Sequence, residues 1–315
     1  MTNIPPLVSI VTPSYNQARF LEQTMQSVLG QDYPHIEYLV VDGGSTDGSV
    51  EIVRRYSDRL AWWISEKDQG QADAINKGLR RANGEIIAWL NSDDLYLPGT
   101  ITRAVDAFQS HPEAGLVYAD VVAIDALGET TNIIRYGNWG LDGLLTFRII
   151  GQPAVFMQRS VLERVGYLDP SFHFLLDHQL WLRMALLAET WYIPQVWAAA
   201  RFHRESKNIA RGAEMSREAY RIIEWLQARP EFNEVFSRSE NRIRAGAHRF
   251  HAHYLLDDCQ AGMALRYYGL SARLHFPTAL REWRRIGFAL LSLLGLGSIR
   301  SAYLRRRAQK KTRDR

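Results

Sequence analysis

The stretch GEIIAWLNSDDLYLPG, Gly84 to Gly99, decides how this chain is read. Ile86, Ile87, Ala88, Trp89 and Leu90 form an apolar run that stops abruptly at Asn91-Ser92-Asp93-Asp94. An apolar run of that length bounded by turn residues suits a strand buried on both faces of an open α/β sheet. In such sheets ligands bind outside the carboxyl ends of the strands. Carboxylates at that point suit a hard divalent cation that also grips substrate phosphates. The same four residues equally suit a solvated turn, because Asn, Ser and Asp hydrogen-bond their own backbone.

The pattern repeats on both sides of this stretch. Val8–Val11 is expected as a short strand stopped by Pro13, and Ala18–Leu29 as a helix on the spacing of Phe20, Leu21, Met25, Val28 and Leu29. Ile36–Val41 is a second strand, followed by a helix to Tyr56 with Asp47 as its N-cap. Leu60–Ile64 is a third strand, Ala72–Ala82 a helix and Ile86–Leu90 a fourth strand. Strands alternating with helices of this length predict βαβ units, a largely parallel sheet, and right-handed crossovers that bring strand C-termini to one edge. Beyond Pro98 the chain predicts a helix, a strand at Leu116–Ile124, an irregular segment 125–150, and a strand at Pro153–Gln158. A helix at Asp177–Leu187 and a strand at Val196–Phe202 follow. Trp89 and Trp181 sit among apolar neighbours and are expected in the core, and Lys67 and Lys77 on the solvated surface. From about Gly212 amphipathic helices rich in Arg and Glu take over, which places a boundary near 205–212.

The 315 residues can bury a substantial core, and their 46% apolar and 23% charged content is that of an ordinary globular protein. A single cysteine, Cys259, excludes an internal disulfide and a thiolate metal cluster. The N-terminus lacks a basic region followed by an apolar one, so no secretory signal is expected and the cytoplasm is the expected compartment. Residues 300–315 carry eight Arg or Lys against one acid, a net +7 that leaves −3 on the other 299 residues of the +4 chain. The basic character is a tail rather than a folded face, and nucleic acid is not an expected partner. Ile286–Ile299 is 14 residues without charge, short of the roughly 20 that a bilayer span needs. With Trp283, Arg284 and Arg285 before it and the basic tail after it, an interfacial helix over about 280–299 on an anionic membrane surface is one expectation. A buried terminal helix followed by a tail is the other.

Further acids fall at strand ends, at Asp42 in VVDGGSTDGS and at Asp68. The Asp42 carboxylate can accept from a base imino group or from ribose hydroxyls, and it can equally close an Asx turn. The glycines beside it let backbone approach a ligand. GxGxxG is absent, which leaves nicotinamide binding without support.

Five segments taken together resemble one family. They are VSIVTPSYNQARFLEQTMQSVLGQDYPHIEYLVVDGGSTDGS, SEKDQGQADAINKG, the stretch quoted first, GQPAVFMQRSVLERVGYLD and LLDHQLWLRMA. In this order, over about residues 7–205, the chain resembles inverting family-2 glycosyltransferases that build bacterial surface polysaccharides. The resemblance implies an α/β, Rossmann-like GT-A domain at 1–208 with a mostly parallel sheet and flanking helices. A C-terminal helical extension at 209–299 and the tail at 300–315 would follow. It implies that Thr12, Pro13, Tyr15 and Asn16 line a nucleotide pocket, that Asp42 recognises the base, and that Asp68 lies beside nucleotide or sugar. Asn91, Ser92, Asp93 and Asp94 stand at the family's DxD motif, with Asp93 a ligand of Mn²⁺ or Mg²⁺ and Asn91 in place of the first acid. Asp177 matches the family's general base, although Leu176 replaces the Glu before it. His178 points about 100° away on a helix and is not expected as the base. Gln152 and Pro153 resemble an acceptor-side segment. Arg201, His203 and Ser206 match an RxH..S element in which His203 reaches the metal or diphosphate and Arg201 assists.

The implied substrates are a nucleotide-diphosphate sugar, UDP-linked by expectation, and a glycan or polyprenyl-linked acceptor. The lost acids at 91 and 176 leave a non-catalytic nucleotide-sugar-binding or assembly-scaffold protein as an alternative. A glycoside hydrolase needs two carboxylates flanking a bond and no metal, which the phosphate-suited turn disfavours.

Overall fold

A computed structural model describes residues 5–203 and 212–295. The chain divides into two compact units: residues 1–144 with 149–210, and residues 145–148 with 211–315.

The first unit is built on a nine-stranded sheet of order β3-β2-β1-β4-β8-β6-β9-β5, with β7 paired to β6. β1 (Val8–Ser14), β2 (Ile36–Asp42), β3 (Trp62–Ser65) and β4 (Ile86–Trp89) run parallel. α1 (Ala18–Leu29), α2 (Ser49–Arg55) and α3 (Gln71–Arg81) are the crossovers. Register sets Ser14, Asp42 and Ser65 side by side, so the carboxyl ends of three strands form one edge. β4 is buried along its whole length, as its unbroken apolar run requires. β8 (Val155–Gln158) is antiparallel to β4 and to β6 (Ala114–Ile124), and β9 (Glu189–Arg201) is parallel to β6. β5 (Leu95–Tyr96) continues the Gly84–Gly99 stretch as a short antiparallel partner of β9, and α4 (Thr100–Ser110) follows it. α6 (Arg159–Val165) and α7 (Leu176–Leu187) complete this layer. Trp89 and Trp181 stack at 5.2 Å inside the core.

Four expectations are corrected. Pro13 does not stop β1, because β4 pairs with β1 only as far as Val11 and no neighbour on that side needs the missing N–H. The N-cap of α2 is Gly48 at φ +97, a left-handed position that suits glycine. Asp47 serves from one residue earlier, accepting from Ser49 N at 3.0 Å and from Ala18 N at 2.8 Å, so it ties the first turns of α1 and α2 together. Segment 125–150 is ordered: β7 (Thr130–Ile134) forms a hairpin with β6, and α5 (Gly140–Leu145) follows. Finally, β9 begins at Glu189 and passes Pro194 and Gln195 as a bulge, where consecutive β6 residues Ala119 and Asp120 pair with Ile193 and Val196.

The second unit is helical: α8 (Gly212–Gln227), α9 (Asn233–Asp257), α10 (Ala261–Leu280) and α11 (Trp283–Leu293). Ala252, Leu255, Leu256, Ala261, Ala264, Tyr268 and Ala289 form one of its apolar clusters. α10 kinks at His275, two residues before Pro277. Residues 145–148 are held to α9 by Arg249, whose Nη2 donates to the carbonyls of Phe147 at 2.8 Å and Thr146 at 3.2 Å. No described helix is long and apolar enough to cross a membrane. The boundary expected near 205–212 falls almost wholly outside the described residues, as do Ser206 and the basic tail.

Candidate functional site

The strand ends converge on the turn after β4. The Trp89 carbonyl can only accept a hydrogen bond, so the Gln152 side chain turns its nitrogen to it, at 2.7 Å. Gln152 Oε1 then faces Asn91, which answers with Nδ2 at 3.0 Å, and the same nitrogen reaches Asp94 Oδ2 at 3.3 Å. Asn91 Oδ1 is left to accept from Gln71 Nε2 at 2.9 Å. The amide at 91 is thus a donor toward two acceptors, a task an aspartate could not perform. Gln152, with buried Pro153 behind it, holds the turn in place.

Asp94 is buried, and its Oδ1 accepts from Arg201 N at 2.9 Å. Burial, and then the neighbouring charge of Asp93, push its carboxyl well above the usual range. Arg201 braces the turn: Nε donates to the Asp93 carbonyl at 2.9 Å, Nη1 to the Asp125 carbonyl at 3.2 Å, and Nη2 to Gln23 Oε1 at 2.9 Å. Its guanidinium lies 4.7 Å over the Phe20 ring. Ser92 is buried within the turn.

Asp93 points the other way. Its Oδ2 lies 3.2 Å from His203 Nε2, and the His203 ring packs at 5.0 Å on Phe20 of α1. Asp93 retains 20% of its side-chain exposure, enough to meet a ligand. A carboxylate oxygen and an imidazole nitrogen facing each other are two donors that could hold a divalent cation whose other positions go to water and phosphate. Among the described residues no cluster of three or more His, Cys, Asp or Glu is gathered for a metal.

The loops after β1 and β2 meet along the same edge. Asp42 is fully buried, and Oδ2 accepts from Gly44 N, Ser45 N and Ser65 Oγ at 3.1, 2.9 and 2.7 Å. Its Oδ1 accepts from Ser45 Oγ at 2.5 Å. These bonds close the Asx turn that the sequence allowed. Asn16, at φ +51, donates its backbone N–H to Ser45 Oγ at 2.8 Å and accepts from Thr46 N at 2.9 Å. Thr12 and Pro13 are buried, with Thr12 Oγ1 on Tyr38 OH at 2.9 Å, whereas Tyr15 is 61% exposed. Asp68 packs against this turn: a Cβ on Gly43 would lie 2.3 Å from Asp68 Oδ2.

Asp177 lies in the first turn of α7, half-buried, and its Oδ1 accepts from His178 N at 2.6 Å. Its charge reaches Tyr136, a residue that sequence reasoning missed. Burial first, then Asp120, Asp177 and Asp94, raise the Tyr136 hydroxyl above its ordinary pKa, so it stays a neutral donor. The hydroxyl sits against Gly151, where an added Cβ would lie 2.3 Å away. Asp120, buried on β6, holds the segment by accepting from Tyr136 N at 2.9 Å, and Tyr192 OH donates to the same oxygen at 2.8 Å. His178 is fully buried with Nε2 on the Leu144 carbonyl at 3.0 Å, and burial lowers its pKa to about 4. It is a core residue.

A family model described as glycosyl transferase family 2 matches residues 9–176, more than half of the chain. The chain belongs to glycosyl transferase family 2. An uncharacterised glycosyltransferase of Rickettsia typhi is 28% identical over 63% of this chain and 64% of its own length. The chain therefore spans a little under two thirds of that relative, and 36% of a longer one from Rickettsia conorii. TuaG of Bacillus subtilis, named for teichuronic acid biosynthesis, is 32% identical over 58% of this chain and 74% of its own. Among solved structures, the mannosyltransferase PcManGT from Pyrobaculum calidifontis, in complex with GDP-Man and Mn²⁺, superposes with a TM-score of 0.59. It is 22% identical, and the match covers 99% of this chain and 89% of that one. S. aureus TarS 1-349, in complex with UDP-GlcNAc, gives 0.58 at 15% identity over 89% and 92%. At these identities the likeness shows the fold alone, and this family-2 chain has the GT-A architecture with a helical C-terminal region.

Proposed function

We propose that this family-2 protein is an inverting glycosyltransferase that moves a sugar from a nucleotide-diphosphate donor, UDP-linked by preference, to a glycan or polyprenyl-linked acceptor in surface-polysaccharide synthesis. The observation that carries the reading is the Asp93–His203 pair, 3.2 Å apart, on the strand-end edge that also holds the Asn16–Ser45–Asp42 loops. The relatives named for teichuronic acid and for PGL/p-HBAD biosynthesis support the surface-glycan setting.

In this reading the exposed Tyr15 ring meets the base, and buried Thr12 and Pro13 form the floor beneath it. Asp42 shapes the loop that Asn16 and Ser45 present to the nucleotide, and Asp68 faces ribose or sugar across Gly43. Asp93 and His203 would hold a divalent cation, and such a cation would neutralise the charge developing on the departing diphosphate. Asn91, Ser92, Asp94, Gln152, Pro153 and Arg201 keep those two residues in position. The acceptor hydroxyl oxygen attacks the anomeric carbon from the face opposite the leaving group. The bond from that carbon to the β-phosphate oxygen breaks with its electron pair on the diphosphate, and Asp177 takes the acceptor's proton. The neutral Tyr136 hydroxyl, beside Asp177, orients acceptor or donor sugar. The domain division, 1–208, 209–299 and 300–315, is part of this reading. So is a cytoplasmic protein working peripherally at the inner face of the cell membrane.

Release of nucleoside diphosphate from a panel of nucleotide sugars, with Mn²⁺, tests the reading. The wild type should release one nucleoside diphosphate, and Asp177→Asn should bind it equally while releasing it about 10²-fold or more slowly. Binding without release for any donor would favour the non-catalytic relative, which the engaged amide at Asn91 and Leu176 make the second reading.

A further inference from the structure

The last described helix of the helical unit has too many apolar faces. On α11, Ala289 is buried and Ile286 and Phe288 pack against the cluster formed with α9 and α10. That is the inward face a helix of a soluble bundle needs. The outward face is apolar as well. Trp283, Leu290 and Leu291, at i, i+7 and i+8, share one side of the helix, and Leu294 continues it. Trp283 is 60% exposed, Leu290 51% and Leu294 73%. Phe276 and Leu280, at the end of α10, are exposed beside Pro277. Scattered exposed apolar residues are normal, but a row this long on consecutive turns marks an interaction surface.

The charges around the row indicate what it meets. Arg281 and Arg284 are exposed, and the Arg284 guanidinium lies 5.2 Å from the centre of the Trp283 ring. The acids near the start of α11 are already engaged: Glu282 with Arg249 at 3.2 Å and Arg285 at 3.4 Å, and Asp257 with Arg285 at 2.8 Å. These pairs anchor α11 to α9 and leave Arg281 and Arg284 to present positive charge. Downstream, residues 300–315 add a net +7. A two-fold contact with a second copy would set these cations against themselves. An anionic bilayer matches both features, since it takes Trp and Leu side chains into its headgroup boundary and attracts Lys and Arg beside them.

We infer that the outward face of α11, with the end of α10, is a docking surface on which the protein lies against an anionic lipid bilayer. It gives place to the lipid-linked acceptor and rests on that reading for its purpose, while vesicle binding is measured without donor or acceptor. The full chain is sedimented with vesicles of phosphatidylcholine alone and with about one-third phosphatidylglycerol, the latter at low and at 0.5 M salt. Sedimentation equilibrium without vesicles runs in parallel. Binding should require the anionic lipid and weaken with salt as the Debye length shrinks. The Trp283→Ser/Leu290→Ser/Leu294→Ser variant should bind at least about tenfold more weakly. Circular dichroism and nucleotide affinity should be unchanged, because the replaced side chains face solvent. Absence of binding, binding equal in both lipids, or equal binding by wild type and the variant overturns the inference. So does a dimer that the variant abolishes while vesicles are ignored, which would assign the face to a second copy.

Discussion

Asn91 is the residue whose chemistry departs most from expectation. It keeps an oxygen where the family places an acid, yet its nitrogen faces Gln152 and Asp94 while its oxygen faces Gln71. Restoring the acid should therefore harm the protein in the absence of metal. Asn91→Asp would set a carboxylate against Asp94 Oδ2 and Gln152 Oε1, and should lower unfolding free energy by about 1–3 kcal/mol in denaturant titration. Divalent cation should recover part of that loss. The neighbouring residues of α7 separate in the same way. Asp177→Asn should slow turnover about 10²-fold or more while leaving the fold intact, whereas His178→Gln should retain most turnover. His178 instead carries a pH signature. Its pKa falls from 6.5 to about 4 in the fold, so the unfolded chain binds the proton more tightly. That stability is present above about pH 6.5 and is lost as pH falls toward 4, on the order of 3 kcal/mol in all. His178→Gln should flatten the slope of unfolding free energy in that window, and an unchanged slope would mean the imidazole is not the group responsible.

At the scale of elements, the loops between strands and helices do the positioning. Asp47 joins α1 to α2, and Asp47→Ala should cost about 1–2 kcal/mol of stability by removing an acceptor for a first-turn N–H of each. Gly43 admits Asp68 to the turn after β2, and Gly43→Ala should displace that flexible side chain. Nucleotide affinity should then fall with little change in melting temperature; a melting loss without an affinity loss would make Asp68 a packing residue. The parallel half of the sheet was legible because its strands are short apolar runs separated by helices with a clear 3.6 period. α1 runs over Ala18–Leu29 as its spacing predicts. β7 was not legible, since Thr130–Ile134 is almost entirely exposed and has no buried face to set a period of two. The start of β9 was hidden by Pro194 and Gln195 in its bulge. In the site, Asp93 and His203 were readable as residues that meet, but Tyr136, Phe20 and Asp120 were not. Their contributions arise from a loop, a helix and a strand distant in sequence from the turn.

At the scale of the molecule, the chain has two units. The sheet unit carries the Asp42 loop, the acidic turn after β4 and Asp177, and the helical unit carries the apolar and basic residues of α11. A ligand that binds one unit alone raises that unit's stability by mass action, about 2.7 kcal/mol at a hundredfold excess over Kd. UDP with Mn²⁺ should therefore raise the unfolding transition reported by the stacked Trp89–Trp181 pair. The central claim is that the edge bearing Asp93 and His203 binds a nucleoside diphosphate through a divalent cation, and calorimetric titration tests it most directly. Purified protein is titrated with UDP, GDP and dTDP in Mn²⁺, then in EDTA, beside Asp93→Ala. The account predicts that one nucleotide binds, that EDTA removes the binding, and that Asp93→Ala does the same with the fold intact. Binding of no nucleotide, or binding indifferent to both EDTA and Asp93, would contradict it.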